Sequence, residues 1–210
     1  VTHRADRVLI VCTGPSVENI AFPPLPGVTT IVVNGALEWH PAPDIFFSLD
    51  PSNYVRRLVR HRPARVAAYL AVPGDYGTPG ARVVAHRDAP ERGVTYLRRS
   101  TGGGYLGACY RLSDDPRAIH TGNSAWGALG LAWHMGAARV AFLGLDGTTD
   151  RYAYLPGCPV TSFDHLPGLF ESSVPQLEAR GVLVVNGSRR SCVTCFPRLE
   201  ASETFGWLLE

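Results

Sequence analysis

Short apolar runs dominated by β-branched residues recur along this chain at 7–12, 29–34, 44–49, 65–70, 139–144 and 182–186. Within each run the apolar positions are continuous rather than alternating with polar ones, the pattern of strands covered on both faces in a parallel sheet. Stretches with helical spacing lie between them. The strongest covers 123–135, where Trp126, Leu129 and Trp133 fall on one helical repeat and Gly136 supplies a stop. Weaker helices are expected at 54–61, 175–180 and 201–209. Strands that alternate with helices predict an α/β fold of the Rossmann-like, doubly wound kind with a mostly parallel sheet. The Pro- and Gly-rich connections at 22–27 and 72–80 read as turns, because packed-looking segments resume after each. No internal repeat is present, and 210 residues suit a single domain over 1–210.

One stretch fits neither period. Ser100-Thr-Gly-Gly-Gly-Tyr-Leu-Gly-Ala-Cys-Tyr110 sets four glycines beside two tyrosines. It reads either as a small lid at 99–112, mobile over a site, or as an ordinary surface connection.

Composition narrows the function classes. No run of about 18 apolar residues is present for a membrane span, and the first residues lack the apolar core of a signal peptide, so a cytoplasmic protein is expected. A formal charge of +2 gives no reason to expect direct nucleic-acid binding. All 20 basic residues are Arg. The absence of Lys excludes a P-loop and Schiff-base chemistry, both of which need a lysine amine. The five cysteines are an odd number, and Cys192-Val-Thr-Cys195 has neither a second pair nor a His at zinc spacing. Free thiols and no metal site are expected.

The candidate chemistry sits where strands end. Val8-Leu-Ile-Val-Cys-Thr-Gly-Pro-Ser16 is an apolar strand running into Thr13, Gly14, Pro15 and Ser16, and in a doubly wound sheet the loop after the first strand reaches the ligand crevice. Gly14 permits close approach of a ligand to the backbone, Pro15 suits a first helical turn, and Ser16 offers a hydroxyl beside free N–H groups. On this reading a Val at Gly14 would abolish binding and leave the fold intact. The second and third glycines of a dinucleotide fingerprint are missing, which disfavours NAD and FAD. Short Gly-Pro-Ser strings also serve as plain strand-to-helix turns, and both readings stand.

A second string, Thr121, Gly122, Asn123 and Ser124, opens the strongest helix, whose free N–H groups and dipole favour phosphate. Asn34, Asp50 and Asp146 each follow an apolar strand, so all three are expected at the same edge of the sheet.

In their order along the chain these motifs resemble the bacterial lipooligosaccharide sialyltransferases and the related domain of motility-associated glycosyltransferases. The resemblance runs from about Arg7 to Pro197, through Arg151-Tyr-Ala-Tyr154, Val184-Val-Asn-Gly-Ser188 and Cys195-Phe-Pro197, and rests on short motifs. It implies a nucleotide-sugar donor, CMP-sialic acid in that family, and inverting transfer to a hydroxyl acceptor with no cofactor or metal required. It further implies that Gly14, Pro15 and Ser16 line the phosphate and ribose, that Asn34 contacts the nucleotide, and that Thr121 to Ser124 hold the phosphate end. Tyr152 and Tyr154 would bond the departing phosphate, and His165 would be the general base. A neutral imidazole suits that role near neutral pH, and among the seven histidines His165 has the right place, between the Asp146 strand end and the 175–180 helix.

The same motif order is similar to the archaeal-type 6-hydroxymethylpterin diphosphokinases. That resemblance implies a nucleotide triphosphate and Mg, for which Asp50 and Asp146 are the available ligands. A non-catalytic nucleotide-binding module is the third class. The acceptor and the oligomeric state are not encoded in any legible motif.

Overall fold

The computed structural model describes residues 3–50, 52–73, 91, 93–104, 107–148 and 163–210. Eight strands form one sheet in the order β6-β5-β4-β3-β2-β1-β7-β8. They are β1 Arg7–Val11, β2 Thr29–Val33, β3 Ile45–Ser48, β4 Ala67–Pro73, β5 Val94–Ser100, β6 Ala118–His120, β7 Arg139–Leu143 and β8 Leu183–Asn186. Every pairing is parallel, so the sheet is wholly rather than mostly parallel. Among the described residues five helices pack on it: α1 Asn53–His61, α2 Ser124–Met135, α3 Leu166–Glu171, α4 Val174–Ala179 and α5 Ala201–Leu209.

The continuous apolar runs are explained by two cores. Val8 and Ile10 of β1 join Trp126, Leu129, Leu169 and Phe170 on one face. Leu9 and Val11 join Val55, Val59, Phe205 and Leu208 on the other. A strand buried on both sides has no place for alternating polar residues.

Helix α2 is fixed at both ends by its sequence. Asn123 caps it by accepting from Ala125 N at 2.8 Å and Trp126 N at 3.1 Å, and Gly136 ends it at φ +81°. Eleven of its twelve residues are buried, so it is an interior helix and not a surface one. Phe170 of α3 meets the Trp126 ring edge to face at 5.5 Å, and the Arg180 guanidinium stacks 3.6 Å from the Trp133 ring centre.

The sheet reverses its strand order beside β1. The chain passes from β1 to β2 on one side, and β7 later pairs with β1 on the other. This switch point leaves a crevice at the carboxyl ends of the strands. Among the described residues no helix is long and apolar enough to cross a membrane.

At the opposite end of the sheet, His40 is 9% exposed, takes the Ala42 N–H on Nδ1 at 3.3 Å, and meets Phe22 edge to face at 4.5 Å. Burial lowers its pKa from 6.5 to about 4, with Asp44 opposing weakly. The unfolded chain takes up a proton on this ring as the pH falls below 6.5, while the folded protein does so only near 4. Stability is therefore expected to be full above pH 6.5 and to fall towards pH 4, by roughly 2 kcal/mol after discounting for partial solvent screening. Urea midpoints at pH 7 and pH 4.5 check this. His40→Asn, which keeps an acceptor for Ala42 N, should lose much of the slope.

Candidate active site

The loops after β1, β2, β3, β6 and β7 meet at the switch point around a cleft of about 230 Å³. Thr13, Gly14, Asn34, Asp50, Gly122, Asn123, Ser124, Asp146 and His165 all line it. Each of these comes from a strand end or a helix start, which a parallel sheet gathers on one edge whatever the sequence distance. Cys12, Val33, Ala125, Gly144, Leu145, Gly147 and Phe163 complete the walls.

Asp146 organises the β1 turn. It is 1% exposed, and its carboxylate accepts the Ser16 backbone N–H at 2.7 Å and the Ser16 hydroxyl. Its own carbonyl accepts Cys192 N at 2.7 Å. The Gly14 N–H donates to Gly144 O at 2.9 Å. A Cβ on Gly14 would stand 2.5 Å from Gly144 O and 2.6 Å from the Asp146 carboxyl carbon. The glycine is thus required by the protein's own packing, and the expectation that a Val there leaves the fold intact is corrected. The Ser16 N–H and hydroxyl, expected beside a ligand, are already taken by Asp146.

Pro15 and Ser16 belong to the short 3-10 turn Pro15–Val17 and line a different cavity, of about 510 Å³, with Arg189 and Arg190. Thr121 is buried and does not line the cleft, and its N–H and carbonyl tie Ser100 O at 2.8 Å and Cys109 N at 2.7 Å. Tyr152 and Tyr154 fall outside the described residues.

Asn34 and Asp50 face each other across the cleft wall. Asn34 begins the 3-10 turn Asn34–Glu38 with φ +50°, a left-handed conformation that Asn tolerates better than most residues. Its amide nitrogen donates to Asp50 Oδ2 at 3.0 Å. Among the described residues its Oδ1 accepts no hydrogen bond although it is buried, so an acceptor lies ready in the wall. Asp50 keeps an exposed surface, yet the surrounding protein raises its pKa by desolvation, against the opposing Arg99 charge and the Asn34 hydrogen bond. Arg99 of β5 also donates to Leu49 O at 2.8 Å and so holds the turn that carries Asp50. Sequence reading missed Arg99, since nothing local marks it.

Opposite lies the amino end of α2, where Ser124 Oγ accepts Leu49 N at 3.3 Å and joins the β3 turn to the helix. His165 is half-buried and stands immediately before α3, with its carbonyl accepting Leu169 N at 3.1 Å. The Cys12 thiol in the floor is pushed well above its ordinary pKa by burial and by Asp146, so it offers no thiolate at neutral pH.

Both carboxylates proposed for Mg have protein donors: Asp146 from Ser16, Asp50 from Asn34. Among the described residues no group of three or more His, Cys, Asp or Glu side chains is placed to hold a metal ion. Cys192 and Cys195 are unbonded, and burial raises both thiol pKa values, that of Cys195 to about 11.

The described residues of the Gly- and Tyr-rich stretch are bonded to one another and to the end of β6. Gly102 N donates to Gly107 O at 2.9 Å, Gly104 N to Ala108 O at 3.1 Å, and Cys109 N to Thr121 O at 2.7 Å, while Ala108 is buried in the core. None of the described residues of this stretch lines the cleft.

No family model and no curated protein sequence matches this chain. Among solved structures, it is similar to the sialyltransferase CstII from Campylobacter jejuni in complex with a substrate analogue, cytidine-5'-monophosphate. The two share 10% sequence identity over 97% of each chain, with a TM-score of 0.49.

Proposed function

We propose that this protein is a glycosyltransferase of the sialyltransferase-like type, which moves a sugar from a nucleotide-sugar donor, a CMP-sugar by preference, to a hydroxyl acceptor with inversion. The observation that carries the reading is the convergence of Asn34, Asp50, Asn123, Ser124 and His165 on one cleft at the switch point. That is where an open α/β sheet binds its ligand, and the motif order described from the sequence supplies the donor class.

In this reading the donor's phosphate meets the amino end of α2, where the helix dipole offsets the charge that builds on the leaving group. Asn34 Oδ1 accepts a hydrogen bond from the nucleotide. The acceptor oxygen attacks the anomeric carbon as the bond from that carbon to the phosphate oxygen breaks, and the electron pair leaves with the nucleotide. His165 takes the acceptor's proton. Tyr152 and Tyr154 donate to the departing phosphate, and no metal takes part.

Thermal shift with CMP, UMP, GMP and CMP-sugars tests the site, because a ligand that binds only the folded form raises the melting temperature by mass action. CMP is expected to give the largest shift. Asn34→Gly keeps the left-handed turn but removes the amide, and should weaken CMP by about 1 kcal/mol, roughly fivefold. Donor consumption should persist in EDTA. A reaction that consumes a nucleotide triphosphate and stops in EDTA would replace this reading with diphosphoryl transfer, and binding without consumption would make the protein a nucleotide-binding module.

A further inference from the structure

The sheet ends at β8, whose outer edge is open over a short stretch. In a parallel ladder alternate residues turn their N–H and C=O groups to opposite sides. Leu183 N donates to Ala138 O and Gly187 N to Phe142 O, both at 2.8 Å, so the odd-numbered residues face β7. The even-numbered ones face outward. Val182 N donates to Leu177 O at 2.9 Å, while Asn186 donates to Pro197 O at 2.9 Å and accepts from Leu199 N at 3.3 Å. Between them no described segment bonds the outward N–H and C=O of Val184 or the C=O of Val182.

Apolar side chains surround that opening. A groove of about 370 Å³ runs along it, between Val174 and Leu177 of α4 on one side and Leu199 and Trp207 on the other. Leu183 lines it and is 55% exposed, the most open of the large apolar side chains among the described residues. The strand Leu183-Val-Val-Asn186 carries neither charge nor proline, the devices by which edge strands avoid pairing. The opposite edge, β6, is only three residues long and offers far less to pair with.

Charge is divided between the two ends of the opening. Glu178 of α4 lines the groove at the end where β8 begins. Arg198 forms a parallel bridge with Asn186, at the end where β8 finishes. Both are exposed, and among the described residues neither makes an ion pair. A two-fold axis across the edge exchanges the ends, and so brings Glu178 of one copy towards Arg198 of the other.

We propose that this protein forms a two-fold dimer in which β8 pairs antiparallel with β8 of a second copy. With the axis at Leu183, the Val184 N–H of each copy donates to the Val182 carbonyl of the other. The two Leu183 side chains then meet on the face that Val185 shares with α5. An unrelated extended peptide would satisfy the same backbone groups, but a second copy also supplies Arg198 opposite Glu178 and Glu178 opposite Arg198. Two eight-stranded sheets become one, and the two switch-point clefts open on its opposite edges.

Sedimentation velocity over a concentration series tests this. The wild type is expected to pass from monomer to dimer, and hydrogen exchange at the Val184 amide should slow as the dimer forms. Leu183→Lys changes an exposed side chain and should keep the fold, which circular dichroism checks. It should weaken the dimer at least about a hundredfold, because two leucines leave an apolar contact and two like charges meet. Glu178→Arg and Arg198→Glu should each weaken the dimer about tenfold when alone. An equimolar mixture of the two should recover the wild-type affinity, since the mixed dimer restores both ion pairs. A wild type that stays monomeric throughout the series overturns the proposal and leaves the groove to an extended apolar peptide of another protein. A dimer that survives in a folded Leu183→Lys protein, or a mixture that associates no better than its parts, overturns the pairing at β8.

Discussion

His165→Ala is expected to lower turnover by about 10² to 10⁴ while leaving CMP affinity within about twofold of the wild type. The expectation follows from position. His165 lines the same cleft as Asn34, Asp50 and the amino end of α2, and its backbone is fixed by the start of α3. A base that takes the acceptor's proton acts as the new bond forms, so its loss raises the barrier without changing how the donor is held. The measurement is turnover at saturating donor and acceptor, beside CMP titration of the same variant. A near wild-type rate in the variant would remove His165 from the mechanism.

Gly14→Val is expected to destabilise the protein before it affects any ligand. Gly14 has φ −69° and ψ 154°, ordinary values for any residue, so the penalty is steric and not conformational. The added Cβ would meet Gly144 O and the Asp146 carboxyl group, and the loops after β1 and β7 are already tied to each other by backbone hydrogen bonds. Neither neighbour is the free end of a flexible chain. Overpacking of this kind costs about 1–3 kcal/mol for each group forced in. In a protein of this size that lowers the melting temperature by roughly 2–4 °C per kcal/mol. Gly14→Ala should show the lower end of the range and Gly14→Val the upper end or beyond. If Gly14→Val melts with the wild type and has lost CMP binding, the glycine serves the ligand and not the fold.

The sequence made the middle of the sheet easy to see and its far edge hard. β1, β2, β3 and β7 are covered on both faces, and their residues form unbroken apolar runs. β5 and β6 were not anticipated. β5 is half-exposed along most of its length and carries Arg98 and Arg99, and β6 is three residues long, so neither offers a run to read. Helix α3 escaped notice because it is a single short stretch with Pro167 and Gly168 near its start.

The site divides in the same way. Asn34, Asp50 and Asp146 were legible because a parallel sheet brings strand ends to one edge, and that depends only on strand order. The directions of Pro15, Ser16 and Thr121 were not legible, because a turn aims its side chains according to partners contributed by distant loops. Ser16 turns to Asp146, and Thr121 is drawn into the β6 connections. Arg99 steadies the Asp50 turn from a strand that had itself gone unseen.

The join between the β1 and β7 loops also bears on how the protein acquires its shape. Ser16 and Asp146 are 130 residues apart, so the first strand of the sheet waits for most of the chain before its second neighbour exists. Contacts of such long sequence separation slow folding, because loop closure must be completed before they reward it. On the ribosome, β1 to β4 can assemble early with the edge of β1 uncovered, and that edge is a template for mispairing until β7 arrives. Refolding yield should therefore fall with rising protein concentration more steeply than for a helical domain of equal length. The nascent chain is expected to gain protease resistance in one late step, once β7 has cleared the exit tunnel.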